Sequence, residues 1–166
     1  IVALLAQGKR VGITATSHKV IGHLIGAVQE AAADPTTIGS LTVDLRVVQH
    51  GPEDKVLDDP DVVRAKDAAD VRNRLDSGLS NLAAGTTWLW VSKRMVDAVD
   101  VLVVDEAGQI SLANVIAVAR STDSLVLLGD PQQLDQPLRG SLQTVETVFE
   151  ILSRDLERFA DRGEER

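Results

Sequence analysis

The stretch "VLVVDEAGQI" (residues 101–110) runs four aliphatic residues directly into two adjacent carboxylates, Asp105 and Glu106. Burial favours Val and Leu and tolerates unpaired Asp or Glu badly, so those acids need solvent or something to hold. "SLVLLGDPQQL" (124–134) has the same build, ending in Gly129-Asp130 and then Gln132 and Gln133. In open parallel sheets ligands sit beyond the carboxyl ends of the strands. Two apolar strands thus deliver acids and flexible backbone to one edge.

Adjacent carboxylates repel, and one is pushed towards protonation unless a cation or a polar partner intervenes. Magnesium prefers oxygen ligands and often takes only one or two from protein, the rest coming from water and phosphate. The chemistry divides naturally: Asp105 holds the metal through its water shell, and Glu106 orients and deprotonates a water that attacks a γ-phosphate. A Gln amide at the second strand end offers donor and acceptor together and can sense a phosphate. A hydrated strand end is the alternative for either segment alone; two such ends 25 positions apart favour a site.

The elements that must position these residues follow from periodicity. "IVALLAQGKR" reads as the last turns of a helix stopped at Gly8. "VGITAT" (11–16) is a short strand, after which Thr16 or Ser17 caps a helix. Val20, Ile21, Leu24, Ile25 and Val28 form its apolar face to about Ala33, and Asp34-Pro35 ends it. "LTVDLRVV" (41–48) alternates as a half-exposed strand does. An acidic, proline-containing loop follows, then a weakly amphipathic helix over 61–76 closed by Ser77-Gly78. "NLAAGTTWLWV" (81–91) is strand-like around Gly85, placing Trp88 and Trp90 on one face, where core filling competes with base stacking. A short helix over 93–99 leads into the strand 101–105. Ser111 caps a helix over 112–120, and 124–130 is a buried strand. A last helix carries Val145, Val148, Phe149, Leu152, Leu156 and Phe159 on one side. It also bears Arg154, Arg158, Arg162 and Arg166 at four-residue spacing, among acids, as a solvated salt-bridged stripe rather than a phosphate track. Apolar strands alternating with helices predict an α/β fold, helices flanking a mostly parallel sheet.

Composition bounds the possibilities. The chain has 166 residues, 44% hydrophobic and 25% charged, a balance that supports one folded domain. Aromatics make up 2%, so the core is aliphatic. Without cysteine, disulfides, thiolate zinc sites and a Cys nucleophile are excluded. The net charge of −8 argues against a broad nucleic-acid-binding face while leaving room for a local one. No apolar run approaches the roughly 20 residues that span a bilayer, and residues 1–6 lack a signal peptide's charged lead. A cytoplasmic location and no membrane partner are expected from those missing signals.

The motifs resemble a known family. "VVDEAGQ" is similar to motif II, the Walker B box, and "GDPQQL" to motif III, of superfamily 1 helicases. "ITATSHKVI" (13–21) resembles motif Ia, and "GTTWLW" (85–90) the threonine-containing segment before motif II. Order and spacing resemble the first RecA-like domain of the 1B-type, 5′→3′ branch, and "VDEAGQISLANVIAVAR…LVLLGDPQQLDQPLRGS" is closest to bacterial helicases fused to a RecB-type nuclease. The likeness covers most of residues 1–145 and is weaker across 34–80, a possible insertion or variable region.

The resemblance implies a three-layer RecA-like P-loop NTPase fold and an ATP-dependent helicase or translocase acting on single-stranded DNA, with ATP and Mg²⁺ as cofactors. Asp105 then contacts Mg²⁺, Glu106 is the catalytic base, Gln133 couples the γ-phosphate to domain movement, and Asp130 supports motif III. Thr14, Ser17, His18 and Thr86 lie along the strand channel, where hydroxyls, backbone N–H groups and Lys19 suit phosphate contacts. From the residues alone, "TSHK" also reads as a helix cap and an exposed basic turn. An RNA helicase of the same branch and a non-catalytic scaffold of the same fold are the competing readings.

The glycine-rich loop ending in Gly-Lys-Ser/Thr that cradles phosphates is not in this sequence; Gly8-Lys9 precedes Arg10 and lacks the upstream glycine. In the family that loop precedes the first helix, a second RecA-like domain follows, and the nuclease also lies outside these residues. The expectation is a partial RecA-like domain over 1–166, its sheet incomplete at the N-terminal strand, that by itself binds Mg-ATP very weakly and does not hydrolyse it. In the family's sheet the motif III strand lies between the motif II strand and the P-loop strand. Residues 126–128 are therefore expected as an apolar edge that invites self-association.

Overall fold

The structure, a computed structural model, describes residues 1–34, 36 and 43–129. Six strands form one sheet: β1 (Val11–Thr14), β2 (Val47–His50), β3 (Val62–Ala65), β4 (Leu82–Ala84), β5 (Val99–Val104) and β6 (Thr122–Leu127). All are parallel, in the order β3-β2-β4-β1-β5-β6. The helices are α1 (Val2–Ala6), α2 (His18–Ala33), α3 (Ala68–Asp76), α4 (Thr87–Trp90) and α5 (Leu112–Ala119). Parallel neighbours need crossovers, and helical crossovers cover both faces of the sheet.

The two-residue period of the strands sorts the core into two layers. Val11, Ile13, Leu82, Ala84, Val101 and Val103 face α1 and α2, packing on Ile21, Ile25 and Val28. Val48, Ala83, Leu102 and Val104 face the opposite layer with Val71, Leu75, Trp90, Val115 and Val118. The molecule is an α/β protein with a parallel sheet flanked by helices, consistent with a three-layer RecA-like architecture.

The α2 start follows its sequence signal: Ser17 is extended, and its Oγ accepts the Val20 N–H at 3.2 Å. Ser111 does the same for α5, accepting from the Asn114 N–H at 3.3 Å. Gly8 and Gly78 both take positive φ, stopping α1 and following α3.

Four elements differ from the sequence expectation. The strand expected over 41–48 begins only at Val47, and its burial is nearly complete because β2 lies inside the sheet between β3 and β4. The helix expected over 61–76 splits: 62–65 form edge strand β3, and Asp67 caps α3 by accepting the Asp70 N–H at 2.8 Å. Val62 and Ala65 are buried and the residues between them exposed, a pattern that a weak helical period imitates. After Ala84 the chain leaves the sheet and turns into α4, so Trp88 and Trp90 stand about 200° apart around a helix rather than on one strand face. The helix expected over 93–99 is one 3-10 turn, Lys93–Met95, before β5 begins at Val99.

β6 pairs with β5 and is the last strand in the sheet order among the described residues. Val126 is 39% and Leu128 41% exposed, less buried than expected over 124–130 but in keeping with the apolar edge expected over 126–128 among the described residues. The last helix, its arginine stripe, Asp130 and Gln133 lie outside the described residues. Among the described residues no helix is long and apolar enough to cross a membrane.

Candidate functional site

The carboxyl ends of β2, β4, β1 and β5 stand side by side, since those strands are consecutive in the sheet. Their loops present, in order, His50-Gly51, Thr86, Thr16 and Asp105-Glu106. Four segments far apart in sequence thus make one edge.

Asp105 follows β5 and is held at both ends of its peptide. Its N–H donates to the Thr14 carbonyl at 2.9 Å, and its Oδ1 accepts the Glu106 N–H at 2.9 Å. That bond turns the chain so that Glu106 adopts a left-handed conformation, φ 53 and ψ 40. A non-glycine residue there carries a local cost of about 1–2 kcal/mol. Neighbouring hydrogen bonds hold the turn: Gln109 N–H to Glu106 O at 2.8 Å, and Ala107 N–H to Leu128 O at 2.8 Å. The second of these ties the acidic turn to the end of β6.

The Glu106 carboxylate accepts a hydrogen bond from the Thr16 hydroxyl at the end of β1. Neither Asp105 nor Glu106 joins an ion pair among the described residues. Both remain half-buried, with oxygen atoms available to a ligand. Asp105 Oδ2 makes no hydrogen bond among the described residues. No group of three or more His, Asp or Glu among these residues could hold a metal ion. A magnesium ion beside Asp105 would be held through its water shell, which suits an ion that keeps several of its waters.

Beside the acids lie two adjoining grooves. The larger, about 720 Å³, is bounded by Ser17, His18 and Lys19 at the start of α2, by Thr86, and by the loop Asp54–Asp58. The smaller, about 340 Å³, is bounded by Thr16, Thr86, Trp88, Ile110 and Asn114. Thr16, His18 and Thr86 line both. Thr86 begins α4 without a side-chain capping bond. Of the residues expected along a strand channel, Ser17, His18, Lys19 and Thr86 come together here. Thr14 does not: it is wholly buried in β1, its hydroxyl has no partner among the described residues, and it lines neither groove.

His18 illustrates how tightly the groove wall is packed. Its ring lies on Gly51, where an added Cβ would stand 2.6 Å from Cε1, so any larger residue there would have to displace the ring. Nδ1 is buried without a hydrogen bond among the described residues. Burial lowers the His18 pKa below the ordinary 6.5, Lys55 and His50 lower it further, and Asp54 opposes them. A histidine depressed in the folded state is neutral in both states above its unfolded value, so its contribution is intact there. As pH falls below 6.5 the unfolded chain binds the proton first, and stability declines until the folded pKa is passed. Urea unfolding at about pH 7.5 and about pH 5.5 should therefore show a smaller acid loss for His18→Gln than for the parent sequence. Equal losses in the two proteins would remove His18 from the account.

Three features of the site escaped the sequence reading. Thr16 looked like a possible helix cap, and only the β1–β5 pairing brings it to Glu106. The acidic loop looked like a solvated excursion, yet Gln49 anchors it by accepting the Leu57 N–H at 2.9 Å and makes it a groove wall. A polar residue inside "VVQH" was the available signal. Trp88 was hidden by the strand assignment. No protein-family model matches the sequence, and no curated protein matches it.

Proposed function

We propose that this chain is part of the ATPase domain of a nucleic-acid helicase or translocase acting on DNA. The observation that carries the reading is the Thr16–Glu106 hydrogen bond, because Thr16 also lines both grooves. It links a surface suited to a single strand with a carboxylate suited to activating water.

In this reading Asp105 and Glu106 divide the work at a magnesium–ATP complex, which supplies the phosphoryl group and its charge neutralisation. Asp105 would hold the ion. Glu106, kept in place by its left-handed backbone and by Thr16, takes the proton from the attacking water. Thr16 acts as a positioning residue: its hydroxyl occupies one oxygen of the base. Ser17, Lys19 and Thr86 offer hydroxyl, ammonium and backbone N–H groups to a sugar-phosphate backbone. The roles of Asp130 and Gln133, a support for motif III and a γ-phosphate sensor, belong to the same proposal.

The test is ATP-driven strand separation on matched DNA and RNA duplexes, using a polypeptide that joins this chain to a Gly-Lys-Ser/Thr loop and a second RecA-like domain. DNA separation is the expected result. Separation of RNA alone moves the assignment to the RNA branch. With no separation and no strand-stimulated hydrolysis, the scaffold reading takes its place.

A further inference from the structure

Trp88 is 82% exposed while Trp90, two residues on, is 1% exposed. An indole this exposed offers a large apolar face on which a planar partner can pack. The side chain is not on a loose loop. Leu89 and Trp90 of the same short helix are fully buried, and the Trp90 indole N–H donates to the carbonyls of Ile13 and Gly85, each at 3.2 Å. α4 is thus pinned to the sheet, and Trp88 is carried on a fixed stretch of backbone.

The platform borders the smaller groove, with the hydroxyls of Thr16, Thr86 and Thr87 and the Asn114 amide around it. Those groups can donate and accept hydrogen bonds at the edge of a planar ring. The adjoining larger groove carries Lys19 and Lys55, suited to phosphates, though Asp54 and Asp58 share it. An aromatic wall, polar edge groups and a neighbouring cationic stretch are the elements of single-strand recognition.

We propose that Trp88 stacks against a nucleobase of a bound single strand and is the main base-contacting residue of this edge. The assignment rests on the strand-binding reading above and adds to it a residue and a contact mode. A stack against the base face tolerates any sequence, since every base has a π-face.

The chain contains two tryptophans, so the test can use intrinsic fluorescence of the full 166-residue chain. Trp88 should be quenched freely by acrylamide in the unliganded protein and shielded by a (dT)12 strand. An abasic strand of the same length should give no shielding. In anisotropy titrations with labelled strands, Trp88→Leu should weaken (dT)12 binding roughly 5- to 150-fold, leave the abasic strand unchanged, and be largely rescued by Trp88→Phe. Unchanged (dT)12 affinity in Trp88→Leu overturns the stacking role while leaving strand binding intact. Equal weakening on both strands also overturns it, showing a structural effect. A Trp88 already shielded in the free chain overturns it by another route, since the platform is then covered by protein. If neither strand binds the parent chain, the strand-binding reading itself fails and takes this inference with it.

Discussion

Replacing Trp90 by alanine is expected to destabilise the protein by about 3–5 kcal/mol, lowering its thermal midpoint by roughly 6–20 °C. Against the 5–15 kcal/mol typical of a whole domain, that is a large share (about one fifth or more). The indole is the largest fully buried side chain described. It fills the space above β1 and, through its N–H, fastens α4 to the ends of β1 and β4. Gly12 makes the fit possible: a Cβ there would lie 2.5 Å from the ring's Cη2 and 2.8 Å from Leu102 Cδ1. Gly12→Ala alone should therefore cost about 1–3 kcal/mol by overpacking. In a Trp90→Leu background much of that cost should vanish, because the ring that the methyl strikes is gone. A double-mutant cycle by urea denaturation measures the coupling. Additive costs would mean that Leu102, not Trp90, sets the limit at Gly12. The same cycle bears on function, since loss of Trp90 should also release the Trp88 platform.

Glu106→Gln is expected to reduce ATP turnover by about 10²- to 10⁴-fold in a polypeptide that also carries the Gly-Lys-Ser/Thr loop, while nucleotide binding is retained. The substitution keeps the shape, and the amide oxygen can still accept from Thr16. What it removes is proton affinity and charge. Stability should change little, since the group is half-buried and makes no ion pair among the described residues. Single-turnover hydrolysis with separate measurement of nucleotide affinity decides the matter: a variant within tenfold of the parent rate would sink the assignment of Glu106 as base. Thr16→Val provides the companion measurement. Without the hydroxyl the carboxylate loses the donor that positions it, so turnover should fall while nucleotide affinity is kept, and Thr16→Ser should restore the rate. A purely structural role for Thr16 would lower nucleotide affinity together with the rate, and Thr16→Ser would restore neither.

The sequence by itself determined the layered α/β character, a cap at Thr16 or Ser17, the cap at Ser111, the stop at Gly8, and the termination of an apolar strand at Asp105-Glu106. Those features depend on neighbours within a few positions: side-chain periodicity, a hydroxyl reaching a nearby N–H, a glycine with no Cβ. Tertiary structure alone decided which strands lie together. Thr16 and Glu106 are 90 residues apart and meet because β1 and β5 pair in register. The same dependence explains the failures. Residues 62–65 became a strand because an edge beside β2 was open to them, and Trp88 parted from Trp90 because the chain left the sheet after Ala84. Local pattern states how a segment can fold; the sheet's order, set by non-local burial and backbone pairing, states where it goes and what it faces.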